Sequence, residues 1–327
     1  MTPSLEILTQ HTALTQGVGV TDLSDRTRLE LRGSDRVSFL HAFCSNDIKR
    51  LAPGCGCEAF VTSPQGKTLG HVLVFCDTDR LLLDTSPGQA QSLSAHFNKY
   101  VISEDVEFVE RTAELGNLLV TGAHAAQTLQ QRTGSAPPSE LLSFVPTRIA
   151  GCEVVIRRVE YAGVTSFFLQ VVANEIPRLM AALLENEAVL CGPEAVEAAR
   201  LEAGFPLFGR DITDDNLPQE VGRDAKAISF TKGCYLGQET VARIDALGHV
   251  NRSLVGLKFA SSEVPAFGSA LLTDGKDVGH VTSAIWSPIL NAPLAMGYVR
   301  RVHARPGTML ATTISSAEVI SLPIKLG

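Results

Sequence analysis

The stretch "KGCYLGQETVAR", residues 232–243, decides how the chain is read. A single thiol, Cys234, stands beside Gly233 and two residues after Lys232, with Gly237, Gln238 and Glu239 close behind. From Gly237 onward the pattern is helical: Val241, Ile244 and Leu247 share one face and Gly248 is the stop. Cys234 is thereby expected just ahead of a helix N-terminus, where unpaired N–H groups favour an anion. Lys232 is expected to add positive charge, and both effects would lower a thiol pKa. The glycines permit a tight turn or a close approach. Spacing alone leaves two readings open, a reactive or ligand-facing thiol and a tight loop around a buried cysteine.

Upstream, "RLEAGFPLFGRDI" (200–212) places Glu202 in the last turn of a helix read from Pro193 to Leu201. The helix dipole disfavours a carboxylate there by roughly 0.3–1 kcal/mol. Such a carboxylate either accepts hydrogen bonds from a ligand or is a solvated Glu tolerated at small cost. Further upstream, residues 1–200 show hairpins followed by helices, twice over. "TRLELRG", "CEAFVTS" and "TLGHVLVFC" read as strands, and Ser86 with Pro87 and Gln89 reads as a capping box opening a helix. Then "CEVVIRRVE" and "TSFFLQVV" precede a helix after Asn174. This is an α+β, ferredoxin-like pattern. Downstream of residue 252, short strands split by Gly, Pro and Asp indicate a small antiparallel barrel. The expected division is an α+β region of two lobes over 1–245, which need not be continuous in sequence, and a barrel over 246–327.

Composition bounds the function. The 327 residues are 45% apolar and 19% charged, so packed cores are expected. A net charge of -7 and a pI near 5.6 argue against direct binding to nucleic acid or an anionic membrane. No apolar run reaches spanning length. Seven cysteines without a secretory signal suggest reduced thiols and a cytoplasmic protein. Cys55 and Cys57 form "CGC", but no second pair stands at ligand spacing, so no metal site is expected.

"KGCYLGQE" with "VAR" resembles the signature of the YgfZ-type folate-binding proteins, relatives of the glycine-cleavage T-protein, the aminomethyltransferase. "FLHAFCSNDIKRLAPG" (39–54), "SPQGK" (63–67), "RLEAGFPLFGRDI", "LPQEVG" (217–222) and "NRSLVGLKF" (251–259) resemble further family segments in the same order. The resemblance implies two α+β lobes and a C-terminal barrel around a central folate cavity. It implies tetrahydrofolate or a one-carbon derivative as cofactor, and Glu202 on the pterin ring. It carries over Lys232, Gln238, Glu239 and Arg243 as cofactor-binding motif residues and Cys234 as the candidate catalytic thiol. The implied role is support of iron–sulfur cluster assembly or repair and, through it, tRNA thio-modification. Iron–sulfur assembly proteins or client enzymes are the implied partners. Aminomethyltransferases carry an acid on the strand after the glycine turn; here Gly70 and His71 occupy those places. That departure points away from a conventional enzyme, with folate-dependent aminomethyl transfer or demethylation as the alternative.

Overall fold

The computed structural model describes residues 3–163, 165–185, 188–248 and 250–324. An inner sheet has the strand order Cys55–Thr62, Thr68–Cys76, Leu81–Thr85, Thr27–Arg32, Glu107–Glu110, all antiparallel. Its alternating side chains bury both faces. Leu29, Leu31, Val72, Val74 and Leu83 meet Phe39, Leu40, Leu93 and Phe97 of the helices Arg36–Phe43 and Ala90–Asn98. Leu73, Phe75 and Leu82 point the other way, into a core shared with the second sheet.

That outer sheet runs Val189–Leu190, Gly19–Asp22, Leu115–Thr121, Ser166–Val172, Cys152–Val159, Phe144–Ile149. Only its first pair is parallel. Helices Ala125–Thr133 and Ile176–Leu184 cover one face through Leu129, Leu179 and Leu183. The other face brings Leu119, Val159 and Phe168 against the inner sheet. Burial on both faces explains the unbroken apolar run Leu118, Leu119, Val120. The lobes are nested: every strand of the inner sheet lies between Asp22 and Leu115, which belong to neighbouring strands of the outer one.

The barrel is closed, in the order Arg252–Phe259, Ala292–Arg300, Lys276–Ser287, Ala270–Thr273, Met309–Ala311, Ser316–Ile320. Closure leaves no free edge. Helix Pro193–Glu202 joins the parts: Ala195, Val196 and Ala199 enter the core between the sheets, and Leu201 packs on Leu294 and Met296 of the barrel.

Two local readings change. The expected capping box at Ser86 does not form. The helix opens at Ala90 with Gln89 as N-cap, after Gly88 at φ 76°, and the Gln89 N–H is capped by the Thr27 hydroxyl at 2.9 Å. The N-terminal segment, unassigned from sequence, is a helix over Leu5–Gln16 capped by Ser4, followed by the strand Gly19–Asp22.

Candidate functional site

The Cys234 loop is strapped to the inner lobe by its own backbone. Leu236 N–H donates to Ala42 O at 2.8 Å, and the Thr62 hydroxyl donates to Leu236 O at 2.6 Å. Gly237 and Gly66 explain the punctuation of the motif. They sit at φ 82° and 77°; a Cβ on Gly237 would lie 2.4 Å from Ser63 O, and one on Gly66 would lie 2.7 Å from Thr240 Cβ. The glycine turn and the motif loop therefore touch backbone to backbone.

Lys232 does not serve the thiol. Its buried ammonium donates to the carbonyl oxygens of His41, Cys44 and Asn46 at 2.6, 2.6 and 2.9 Å, satisfying groups at and beyond the end of helix Arg36–Phe43. The Tyr235 ring lies 4.7 Å away. Burial lowers the Lys232 pKa, partly offset by Cys44 and Asp47. The helix begins at Gln238 with Gly237 as N-cap, so Cys234 lies outside its first turn. The Cys234 side of the loop faces solvent, as do Glu239 and Arg243. Gln238 turns back, its Oε1 accepting from Tyr235 N–H at 3.0 Å. Arg243 and Thr240 of the motif line a surface hollow with Glu220 and Leu247.

Glu202 is the last residue of helix Pro193–Glu202 and is buried. His11 Nε2 lies 2.5 Å from its Oε2, and its Oε1 accepts from the Ser287 hydroxyl at 2.5 Å and Ile289 N–H at 3.3 Å. The carboxylate joins the N-terminal helix to the barrel. Ala203 and Gly204, next to Glu202, line a cleft of about 480 Å³ beside the barrel, whereas Thr240 and Arg243 of the Cys234 motif line a separate surface hollow.

A second buried constellation was not anticipated. Glu58, on the strand paired with that of His71, places Oε1 2.7 Å from His71 Nε2. Arg223 clamps both Glu58 oxygens. Burial alone would raise the Glu58 pKa, but His71 and Arg223 overcome it and hold the carboxyl at about 2. Phe60 and Phe205 flank the imidazole at 5.3 and 5.6 Å. His71 was visible from its place after the glycine turn. Glu58 and Arg223 carried no signal, because nothing in a sequence pairs residues so far apart.

Arg223 also lines the cleft of about 480 Å³ between the 221–226 segment and the barrel. Leu254, Met296 and Ile320 give it apolar walls; Glu160 and Lys226 give it charge. All seven cysteines are free, Cys55 being exposed and Cys57 partly so. No group of three or more His, Cys, Asp or Glu among the described residues could hold a metal. No helix among them is long and apolar enough to cross a membrane.

Two sheets, a bridging helix and a closed barrel in this order define a class. Residues 4–232 match the GCVT N-terminal domain, and residues 252–324 match the glycine cleavage T-protein C-terminal barrel domain. The chain belongs to the glycine cleavage T-protein family. It is similar to the aminomethyltransferase of Symbiobacterium thermophilum, 28% identical over 334 residues that cover 97% of this chain and 88% of that protein. The aminomethyltransferase of Desulforamulus reducens is 28% identical over 312 residues, 93% of this chain and 84% of the relative. The crystal structure of glycine cleavage system aminomethyltransferase T from Bartonella henselae superposes with a TM-score of 0.88 at 25% identity, over 99% of this chain and 91% of that one.

Proposed function

We propose that the protein binds tetrahydrofolate, or a one-carbon derivative of it, and acts in folate-dependent one-carbon transfer of the aminomethyltransferase type. The observation that carries this reading is the similarity of the whole chain, α+β region and barrel alike, to proteins named for that activity. The large cleft suits the cofactor. Its volume falls within the range of small-molecule sites, and apolar walls stand beside two cations, Arg223 and Lys226, that are paired with Glu58 and Glu160. Reduced folate, when bound, supplies the nitrogens that accept a one-carbon unit. For Glu202 to accept N–H bonds from the pterin, Ser287 and Ile289 have to release its Oε1. At the place where aminomethyltransferases carry an acid, Glu58 supplies a carboxylate from the neighbouring strand and holds the Nε2 side of His71. The imidazole is then the group able to take or give a proton there.

The test is calorimetry with tetrahydrofolate followed by turnover of an aminomethyl or N-methyl donor with the purified protein. Micromolar binding with formation of methylene-tetrahydrofolate is expected. Absence of folate binding would sink the reading.

A second reading has its own support in the exposed Cys234 within "KGCYLGQE" and in the missing acid at Gly70 and His71. In it the protein is a cytoplasmic, YgfZ-type accessory of iron–sulfur assembly or repair, binding folate without turnover and acting through it on tRNA thio-modification. Its partners are iron–sulfur assembly proteins or client enzymes. Folate binding without turnover, with loss of iron–sulfur enzyme activities on gene deletion, selects it over the first.

A further inference from the structure

A smaller cavity, of about 110 Å³, opens between the two sheets, with Phe75, Arg80, Arg111, Phe144 and Arg157 on its walls. Arg157 is only 7% exposed. Its guanidinium lies 4.8 Å from the centre of the Phe75 ring and 5.5 Å from that of Phe144. Nη1 donates to Gln170 Oε1 at 2.8 Å, while Nε has no partner among the described residues. Burial lowers its pKa to about 10, so it stays charged at neutral pH.

No carboxylate is bonded to it among the described residues, and Asp84 and Asp77 act on it only through their fields. Asp84 Oδ1 takes Nε and Nη2 of Arg26 at 2.7 and 2.5 Å. Asp77 is paired with Arg80 at 3.3 Å. Glu30 is paired with Arg32, and with Arg111 at 3.8 Å. The cavity wall carries three arginines against two carboxylates, Glu30 and Asp77. Arg28, 1% exposed, adds a second buried cation whose field acts on Arg157; its Nε and Nη1 have no partner among the described residues. Both side-chain polar atoms of Asn117, also 1% exposed and paired in register with Gln170, are in the same condition.

A buried charge without a counter-ion is strongly unfavourable, and buried polar atoms are nearly always bonded. A group bound in this cavity gives Arg157, which lines it, a direct counter-charge and its Nε an acceptor. Guanidinium forks match the oxygens of phosphate-like anions. The space exceeds what one or two waters fill and is too small for a pterin with its tail. We propose that this inter-sheet cavity binds a small tetrahedral oxyanion of the phosphate class, with Arg157 as its main counter-charge and Arg80 and Arg111 at its mouth. The mouth is open to solvent: the side chains of Arg80 and Arg111 are 45% and 25% exposed. The proposal does not rest on folate binding.

The experiment is thermal unfolding of the full-length protein at neutral pH, without folate, in inorganic phosphate against chloride at matched ionic strength. Phosphate in the millimolar range is expected to raise the midpoint saturably by about 2–4 °C, and Arg157→Gln to remove the shift. Because that variant can fail to fold, phosphate affinity is also measured on Arg111→Ala at the mouth. Binding weakened about tenfold is expected, the loss of one charge-assisted contact. No saturable shift in the native protein, an equal shift in Arg157→Gln, or unchanged affinity in Arg111→Ala overturns the proposal.

Discussion

His11 Nε2 lies 2.5 Å from Glu202 Oε2, a contact between the first helix of the chain and the helix that leads to the barrel. With Ser287 on the other oxygen, the pair ties three parts of the molecule at one carboxylate. Glu202→Ala leaves the imidazole and the hydroxyl buried without their acceptor. A buried donor left without its acceptor costs about 1–3 kcal/mol. Urea unfolding should show that loss, and a variant within 1 kcal/mol of the native protein, roughly the level of an exposed pair, would show that the contact contributes little.

The Lys232 ammonium satisfies three carbonyl oxygens. Lys232→Met keeps most of the stem but orphans them, at about 1–3 kcal/mol for each that water cannot reach. Cys234→Ser, on the solvent side of the same loop, is expected within about 0.5 kcal/mol of native. Equilibrium unfolding of the two variants side by side checks the contrast. Complementation by Cys234→Ser then reports on the thiol separately from stability.

Within the motif, two glycines predict opposite outcomes. Gly237 sits at φ 82° against Ser63 O, whereas a Cβ on Gly233 meets nothing within 4 Å. Gly237→Ala should destabilise by about 1–3 kcal/mol or more, and Gly233→Ala by less than about 0.5 kcal/mol. Equal midpoints in thermal melts would refute the backbone contact at Gly66.

Glu58 supplies an acid-side prediction. Its pKa lies at about 2 in the fold against 4.5 in a free side chain. The depressed value means that its contribution is fully present above 4.5 and fades as pH falls from 4.5 through 2. The difference corresponds to about 3 kcal/mol. Stability of the native protein should therefore drop more steeply across that window than that of Glu58→Gln. Parallel pH profiles for the two would contradict the clamp by His71 and Arg223.

Asp224 has the opposite sign. Burial, with Asp245 nearby, raises its pKa from 3.8 to about 6, against a smaller backbone hydrogen bond. A raised carboxyl pKa removes stability as pH climbs from 3.8 to 6. Since the group is partly solvated, the expected gain of Asp224→Asn at pH 7 is about 1 kcal/mol, vanishing near pH 4. Denaturant midpoints at the two pH values measure it.

The sequence disclosed architecture better than chemistry. Short apolar segments split by turn residues marked the barrel strands: Asp274 follows Ala270–Thr273 and Pro288 follows Lys276–Ser287. The N-terminal helix escaped because its apolar face is narrow: Ala13 and Leu14 are buried, whereas Leu5 is exposed. The false cap at Ser86 shows the limit of local patterns, because Thr27, from a neighbouring strand, won the Gln89 N–H. The Cys234 motif was conspicuous for its backbone geometry, and Lys232 proved to be bonded to carbonyl oxygens. Glu58 and Arg223 meet only after folding, as do Arg157 and the Phe75 ring.

The insertion of one sheet within another also sets an order of events at the ribosome. Gly19–Asp22 pairs with Leu115–Thr121 on one side and Val189–Leu190 on the other. The segment 27–110 has all its strands in hand as soon as it emerges and can close on itself, whereas the earliest strand waits for partners made much later. Emerging chains fold by such local units before distant pairings form. Truncated nascent chains ending shortly after residue 110 should hold a protease-resistant inner lobe trailing an unpaired N-terminus.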